Sequence, residues 1–178
     1  LKTKFYFKEY MNKKQLIILI ISLLLIIGGV FAFNTYNKIY KPNTIKEGFV
    51  YIKTNSTLKD VENELRPFLK RVKPFVWVAN RKKYGNVIRA GKFKIPKGIS
   101  NNDLINLLRS GKQTPVKLVF NNQHRLENLA GRIASQIEAD SVAILNAMLD
   151  KSFLSRNNFN EKTALGMYVP NSYELYWN

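Results

Sequence analysis

The chain has 178 residues, enough for one domain or two small ones. Its 29 Lys and Arg residues against 12 Asp and Glu give a formal net charge of +17, which favours a polyanionic neighbour such as nucleic acid, anionic lipid or an anionic wall polymer. Because the chain has no cysteine, disulfide scaffolds, thiol nucleophiles and Cys-ligated zinc are excluded. The basic residues are mostly lysines spread along the chain, a pattern more typical of solvated surface than of a binding patch.

The first element is an uncharged apolar run, Leu16–Phe33, in which Ser22 is the only hydroxyl. It just reaches the ~20 mostly apolar residues that a helix needs to cross a bilayer. It is longer than the apolar region of a cleavable signal peptide, and no small-x-small cleavage pair follows Val30. We therefore predict a transmembrane signal anchor over residues 15–34, after a cytoplasmic leader over residues 1–14 and before a polar linker over residues 35–47. Met11 opens "MNKKQLII", a start typical of a signal anchor.

The orientation of this anchor rests on its short basic leader. Lysines lie on both sides of the span in nearly equal numbers, so the positive-inside rule alone gives a weak preference. A short basic leader before the first span usually stays in the cytoplasm, which places the remainder of the chain on the other side of the membrane.

Residues 48–112 show the pattern of a small strand-helix unit. Alternation in residues 49–53 predicts a strand, and a helix follows whose core face carries Leu58, Val61, Leu65 and Phe68. A second helix over Lys73–Gly85 is expected to stop at Gly85, and a strand over Arg89–Gly98 comes next. A third helix begins after Ser100 or Asn101 and ends at Gly111.

Residues 114–178 begin a second unit. Thr114–Asn122 predicts a strand, and the following helix carries Leu126, Leu129, Ile133 and Ile137 on one side. Another helix starts at Asp140 or Ser141 and runs to Leu154. The unit closes with the aromatic stretch "LGMYVPNSYELYWN", Leu165–Asn178. Together the elements predict an α+β fold.

Few residues offer catalytic chemistry. His124 is the only histidine, and no Ser-His-Asp set, P-loop, zinc spacing or dinucleotide loop is present, so we predict no metal site and no cofactor. Glu174 stands out because Tyr173, Tyr176 and Trp177 surround it. These aromatics could raise its pKa by desolvation or stack on a sugar ring. The alternative, favoured by the spacing, makes Glu174 an exposed position of an edge strand, with Tyr173 and Leu175 alternating about it.

Two motifs resemble a known family. "AGKFKIPKGISNNDLINLLRSGK", Ala90–Lys112, and "GMYVPNSY", Gly166–Tyr173, are similar to elements of the endolytic murein transglycosylases (MltG, the YceG-like family). The resemblance implies an inner-membrane anchor, a LysM-like subdomain over residues 48–112, and the incomplete start of an α+β catalytic domain over residues 114–178 that faces the periplasm.

The same resemblance implies a function. Such enzymes are lyases that cleave nascent peptidoglycan strands without water, leave 1,6-anhydro ends and so limit strand length during cell wall assembly. The implied partners are glycan strands, inner-membrane lipid and wall-synthesis or division proteins. Nucleic acid is not expected as a partner, because a membrane-crossing segment argues against it. The substrate-groove candidates are Pro170, Asn171, Tyr173, Glu174 and Trp177.

Two departures from the family pattern affect the expected chemistry. "NNQH" and Leu165 stand where the family usually has a Glu-Gly pair and the Glu of a second such pair. The catalytic glutamate of the family is expected beyond Asn178, so the sequence identifies no catalytic residue and predicts an inactive amino-terminal fragment. The alternative is a non-catalytic peptidoglycan-binding membrane protein of the wall-synthesis machinery.

Overall fold

The structure, a computed structural model, describes residues 13–178, so nearly all of the predicted leader lies outside the described residues. The first helix, α1, spans Lys13–Tyr40 and is about 42 Å long at ~1.5 Å per residue. It contains an 18-residue window with a mean hydropathy of 3.1, and none of that window is buried. Helix α1 is therefore long and apolar enough to cross a membrane.

The segment predicted as a polar linker is ordered in the structure. Helix α1 continues to Tyr40, and Asn43 and Thr44 beyond it are buried. The Asn43 side chain donates to the Arg71 carbonyl and to Asn101 Oδ1, both at 2.8 Å, and accepts from the Arg71 amide at 3.0 Å. The linker predicted over residues 35–47 rests on polar composition; at Asn43 the polar side chain satisfies buried partners of the first unit.

The first unit follows the expected order of elements. Strand β1, Gly48–Ile52, pairs antiparallel with β2, Gly91–Ile95, with Val50 opposite Phe93. Three helices cover this two-stranded sheet and complete its core: α2 Leu58–Leu65, α3 Val72–Arg81 and α4 Asn101–Ser110.

Local capping explains where these helices begin and end. Thr57 caps α2 through a capping box with Asp60, and Ser100 caps α4. Gly111 ends α4 at φ 68°, as the sequence predicts. Helix α3 ends at Arg81, earlier than the predicted stop at Gly85, because Lys83 takes a left-handed conformation at φ 51°.

The second unit packs helices against another two-stranded antiparallel sheet. Strand β3, Val116–Phe120, pairs with β4, Asn171–Leu175, so that Phe120 lies opposite Asn171. The helices of this unit are α5 Leu126–Ala134, α6 Ser141–Met148 and α7 Lys151–Arg156. Its core contains Leu118, Phe120, Leu129, Ala130, Ile133 and Met148.

The helix predicted from residue 140 to residue 154 is two helices in the structure. Helix α6 ends at Met148, and Asp150 starts α7 by accepting a hydrogen bond from the Phe153 amide at 2.7 Å. The apolar spacing continues across this break, so periodicity alone did not reveal the second N-cap.

The two units touch through a few specific contacts. The Glu138 carboxylate accepts hydrogen bonds from the Thr54 amide at 2.6 Å and the Thr54 hydroxyl at 2.8 Å. The Trp177 ring lies 5.1 Å from that of Tyr51, and the Trp177 carbonyl accepts from the Glu138 amide at 2.7 Å. The last residues of the second unit thus pack against the first.

Candidate functional site

The loops at one end of the two-stranded β3–β4 sheet form a cleft of about 240 Å³. One wall is the segment that leaves β3, Phe120–Gln123, and the other is formed by Leu165, Gly166, Tyr168 and Pro170. The antiparallel register places the end of β3 beside the start of β4, which explains why two stretches more than 40 residues apart meet here. We call this the hairpin cleft, a label that refers only to the antiparallel pairing of β3 with β4.

The walls of the hairpin cleft suit a carbohydrate better than an ion. Asn121, Asn122 and Gln123 supply neutral amide groups that both donate and accept hydrogen bonds. Tyr168 and Pro170 supply apolar surface that can pack on the face of a sugar ring. The volume lies below the ~300–1,000 Å³ typical of sites that enclose a whole small molecule, so the hairpin cleft suits one unit of a longer polymer.

A local hydrogen bond orders one wall, and burial affects a tyrosine of the other. Gln123 Nε2 donates to Asn121 Oδ1 at 3.1 Å, which orders the amide-rich loop. Tyr168 is half-buried, and burial raises the pKa of its hydroxyl, so it remains a neutral donor at physiological pH.

Three of the five predicted groove residues lie at or near this cleft. Pro170 lines it directly. Asn171 begins β4 opposite Phe120. Tyr173 stacks on Phe120 with ring centroids 5.6 Å apart, and its hydroxyl donates to the Val169 carbonyl at 2.6 Å. Tyr173 therefore supports the cleft wall through Phe120.

The other two predicted groove residues lie elsewhere. Glu174 is exposed on β4, opposite Lys117 of β3. Because Glu174 directly follows Tyr173 in the strand, its side chain lies on the opposite face of the sheet from that of Tyr173. This position agrees with the edge-strand alternative. Trp177 packs on Tyr51 of the first unit. Pro170 lines the hairpin cleft and Trp177 contacts the first unit, so the five predicted residues do not line one cleft.

The amides at residues 121–123 are the functional candidates that sequence reasoning missed. The stretch "NNQH" was noted only as a departure from a family motif. A run of three amide side chains between a strand and a helix was the available signal, but its partner wall could be located only from the strand register.

Three of the described carboxylates have pKa values shifted away from those of a general acid. Hydrogen bonds from Thr57, from the Glu127 backbone and from Ser152 are the main causes that lower the pKa values of Asp60, Glu127 and Asp150, respectively. A glycosidase acid needs the opposite shift, because it must hold its proton near neutral pH. Among residues 13–178, no group of three or more His, Cys, Asp or Glu side chains could hold a metal ion.

A larger cleft of about 740 Å³ lies between α7 and the loop that follows it. Its lining includes Lys151, Leu154, Phe159, Glu161 and Lys162. Lys151 and Glu161 approach within 3.9 Å, and both side chains are largely exposed. We assign no site to this cleft, because its size alone indicates no ligand.

Taken together, the fold and the hairpin cleft define a class of protein. It is an α+β chain with an apolar N-terminal helix and a polar cleft at the end of a two-stranded antiparallel sheet. The YceG-like family model matches residues 50–178, and the chain belongs to that family. No curated protein matches the sequence.

Among solved structures, the chain is similar to a yceG-like protein from Listeria monocytogenes. The two share 19% sequence identity with a TM-score of 0.45, over 74% of this chain and 48% of the Listeria protein. The chain thus spans about half the length of this solved relative.

Proposed function

We propose that this protein holds a peptidoglycan strand at the hairpin cleft as the membrane-anchored part of an endolytic murein transglycosylase. One observation carries the proposal: the strand register joins residues 121–123 and 165–170 in a single cleft of neutral amides and apolar walls. These are the two stretches at which the sequence resembles, and departs from, the motifs of the family. A cleft without charge suits the sugar backbone of a glycan strand.

The proposed reaction cleaves the bond between two sugars without water. One carboxyl group protonates the glycosidic oxygen and then, as a carboxylate, takes the proton of the sugar's own hydroxyl as that hydroxyl closes the 1,6-anhydro ring. None of the described carboxylates lines the hairpin cleft. We therefore assign residues 13–178 to strand holding, and we expect this 178-residue chain to bind glycan and not to cleave it.

Membrane attachment completes the proposal. Helix α1 has the length and hydropathy for one crossing, and the basic leader favours a cytoplasmic N-terminus. We propose that the chain lies in the inner membrane with its soluble part in the periplasm, where nascent glycan strands and wall-synthesis proteins would meet it.

The absence of a carboxylate from the lining of the hairpin cleft also favours a second candidate, a non-catalytic glycan-binding membrane protein. The two candidates differ in the products that they would leave. Purified murein incubated with the chain and analysed by mass spectrometry would show 1,6-anhydro ends only if these residues include the acid. Such products would refute our assignment of these residues to strand holding alone.

The binding half of the proposal is tested with cleft variants of the full chain in detergent micelles. N122A/Q123A removes two amide side chains from the rim, each worth ~0.5–1.5 kcal/mol as a hydrogen bond, so affinity for soluble glycan oligomers is expected to fall about 10-fold. N128A/N146A removes two exposed amides from α5 and α6 and is the matched control, expected to bind like the parent. Equal binding by both double variants and the parent would contradict the assignment of the hairpin cleft.

A further inference from the structure

A second cleft, of about 470 Å³, lies where α1 meets the first unit. We call it the juxtamembrane cleft. Phe31 and Ile39 of α1 form one side, and Trp77, Arg81 and Lys82 of α3 and the residue after it form the other. It is far in sequence from the hairpin cleft and shares no lining residue with it.

The height of this cleft along α1 follows from the sequence. The apolar run ends at Phe33, so Phe31 lies at the edge of the hydrocarbon core if α1 crosses a bilayer. Lys38 lies five residues beyond Phe33, which is about 7.5 Å along the helix at ~1.5 Å per residue and so reaches the headgroup layer. The ring centroids of Tyr36 and Tyr40 lie 5.0 Å apart in this interval, and aromatic residues are enriched at membrane interfaces.

The cations of this region face aromatic rings and amides. Lys38 Nζ lies 5.2 Å from the ring centroid of Trp77, and the Arg81 guanidinium lies 5.3 Å from it. Lys82 Nζ donates to Asn102 Oδ1 at 2.7 Å and to Asn106 Oδ1 at 2.6 Å. Among residues 13–178, the carboxylate ion pairs involve Lys59, Arg66, Arg125 and Lys151 and none of these three cations.

The electrostatics around Lys82 favour an anion. Burial and the positive charge of Arg109 lower the pKa of Lys82, and Asp103 acts in the opposite sense. The Asp103 carboxylate, however, accepts from the Ser100 hydroxyl at 2.6 Å and from the Asn102 amide at 3.2 Å. A bound anion would relieve the repulsion between Lys82 and Arg109.

The cleft is held open by the buried contacts that fix α1. Asn101 Nδ2 donates to the Lys38 carbonyl at 2.8 Å, so the end of α1 is tied to the start of α4. The cationic wall on α3 is therefore presented at a fixed height above the apolar run.

We propose that the juxtamembrane cleft binds the phosphate-bearing headgroup of an anionic phospholipid, with Arg81 and Lys82 at the phosphate and Phe31 and Trp77 against the start of an acyl chain. The combination of an apolar lower wall and a cationic upper rim matches a lipid at the bilayer surface. This inference rests on the proposed membrane crossing of α1, but it is independent of glycan binding.

The test uses the full chain in nanodiscs made of neutral phosphatidylcholine with or without one-third phosphatidylglycerol. The W177F variant leaves Trp77 as the only tryptophan, and phosphatidylglycerol brominated near its headgroup quenches Trp77 emission when bound. We expect strong quenching that saturates with the brominated lipid. R81Q/K82Q in the same background is expected to weaken the apparent affinity about 10- to 30-fold, because each basic residue contributes on the order of a few-fold at the membrane surface.

Three controls decide the interpretation. K94Q/K97Q removes the same charge from exposed lysines at the end of β2, and its affinity is expected to stay within about threefold of the parent. Equal losses in both double variants, or equal quenching by brominated phosphatidylcholine, would refute a specific headgroup site. Displacement of the brominated lipid by millimolar inorganic phosphate would refute a lipid site in favour of a free-phosphate site. Failure of the chain to enter nanodiscs would refute the anchor and the lipid site together, whereas loss of glycan binding alone would leave both intact.

Discussion

Replacing Asn43 by Ala should weaken the attachment of the segment after α1 to the first unit. The Asn43 side chain makes three hydrogen bonds, two partly buried ones to the backbone of Arg71 and one buried one to Asn101 Oδ1. Asn101 in turn donates to the Lys38 carbonyl near the end of α1. Alanine removes the central member of this network and leaves its buried partners without their hydrogen bonds.

The expected cost follows from that count. Each partly buried bond contributes ~0.5–1.5 kcal/mol and the buried oxygen left unpaired costs ~1–3 kcal/mol, so the free energy of unfolding of the first unit should fall by about 2–6 kcal/mol. This is a large fraction of the ~5–15 kcal/mol that a typical domain has. With an m-value of ~1–2 kcal/mol/M, the urea midpoint should fall by roughly 1 M or more.

The assay is urea unfolding of the full chain in mild detergent, followed by the emission of Trp77 in the W177F background. N80A is the matched control, because Asn80 is exposed on α3 and its change should stay within about 0.5 kcal/mol. A midpoint for N43A equal to that of N80A would refute the conclusion that residues 41–44 are fixed to the first unit.

Three further changes probe other parts of the fold. Tyr84 is buried with a hydroxyl that has no hydrogen-bond partner among the described residues, so Y84F should leave stability unchanged or raise it by up to ~1–2 kcal/mol in thermal unfolding, and a loss above about 1 kcal/mol would contradict that account. E138A removes both hydrogen bonds to Thr54 and should lower the urea midpoint by an amount equivalent to about 1 kcal/mol, with E138Q between E138A and the parent; no change would mean that the units do not depend on this contact. The Thr57 side chain lowers the pKa of Asp60 in the folded state, so this contribution to stability is present above the unfolded pKa of ~3.9 and is lost as pH falls through the folded value. Unfolding measured from pH 5 to pH 2 should show that loss in the parent and a smaller one in T57A, and identical profiles would exclude the capping box as its source.

Much of the fold was predictable because local signals agree with tertiary packing. Ser100 and Gly111 bound α4 as expected, since an N-cap hydroxyl and a left-handed glycine act within one helical turn. The alternation in β1 also predicts the buried faces of Val50 and Ile52. The ordered stretch after Tyr40 was not predictable, because the partners of Asn43 lie 28 and 58 residues away in sequence.

The candidate site was only partly predictable for the same reason. Pro170 was identified from its motif, but its amide-bearing partners at residues 121–123 become neighbours only through the β3–β4 register. Glu174 and Trp177 are predicted groove residues because a carboxylate and an aromatic ring lie close together in sequence. Strand alternation places Glu174 and Tyr173 on opposite faces of the sheet. Trp177 contacts Tyr51 of the first unit instead of the hairpin cleft.

The most direct test of the central claim is photo-cross-linking of a glycan strand to the full chain in nanodiscs. A photoreactive amino acid at position 123 lies in the hairpin cleft, and one at position 162 lies in the larger cleft beside α7. We predict glycan adducts at position 123 that purified glycan oligomers suppress by competition, and background labelling at position 162. Equal labelling at both positions, or adducts at position 162 alone, would contradict the assignment of the hairpin cleft as the glycan-holding site.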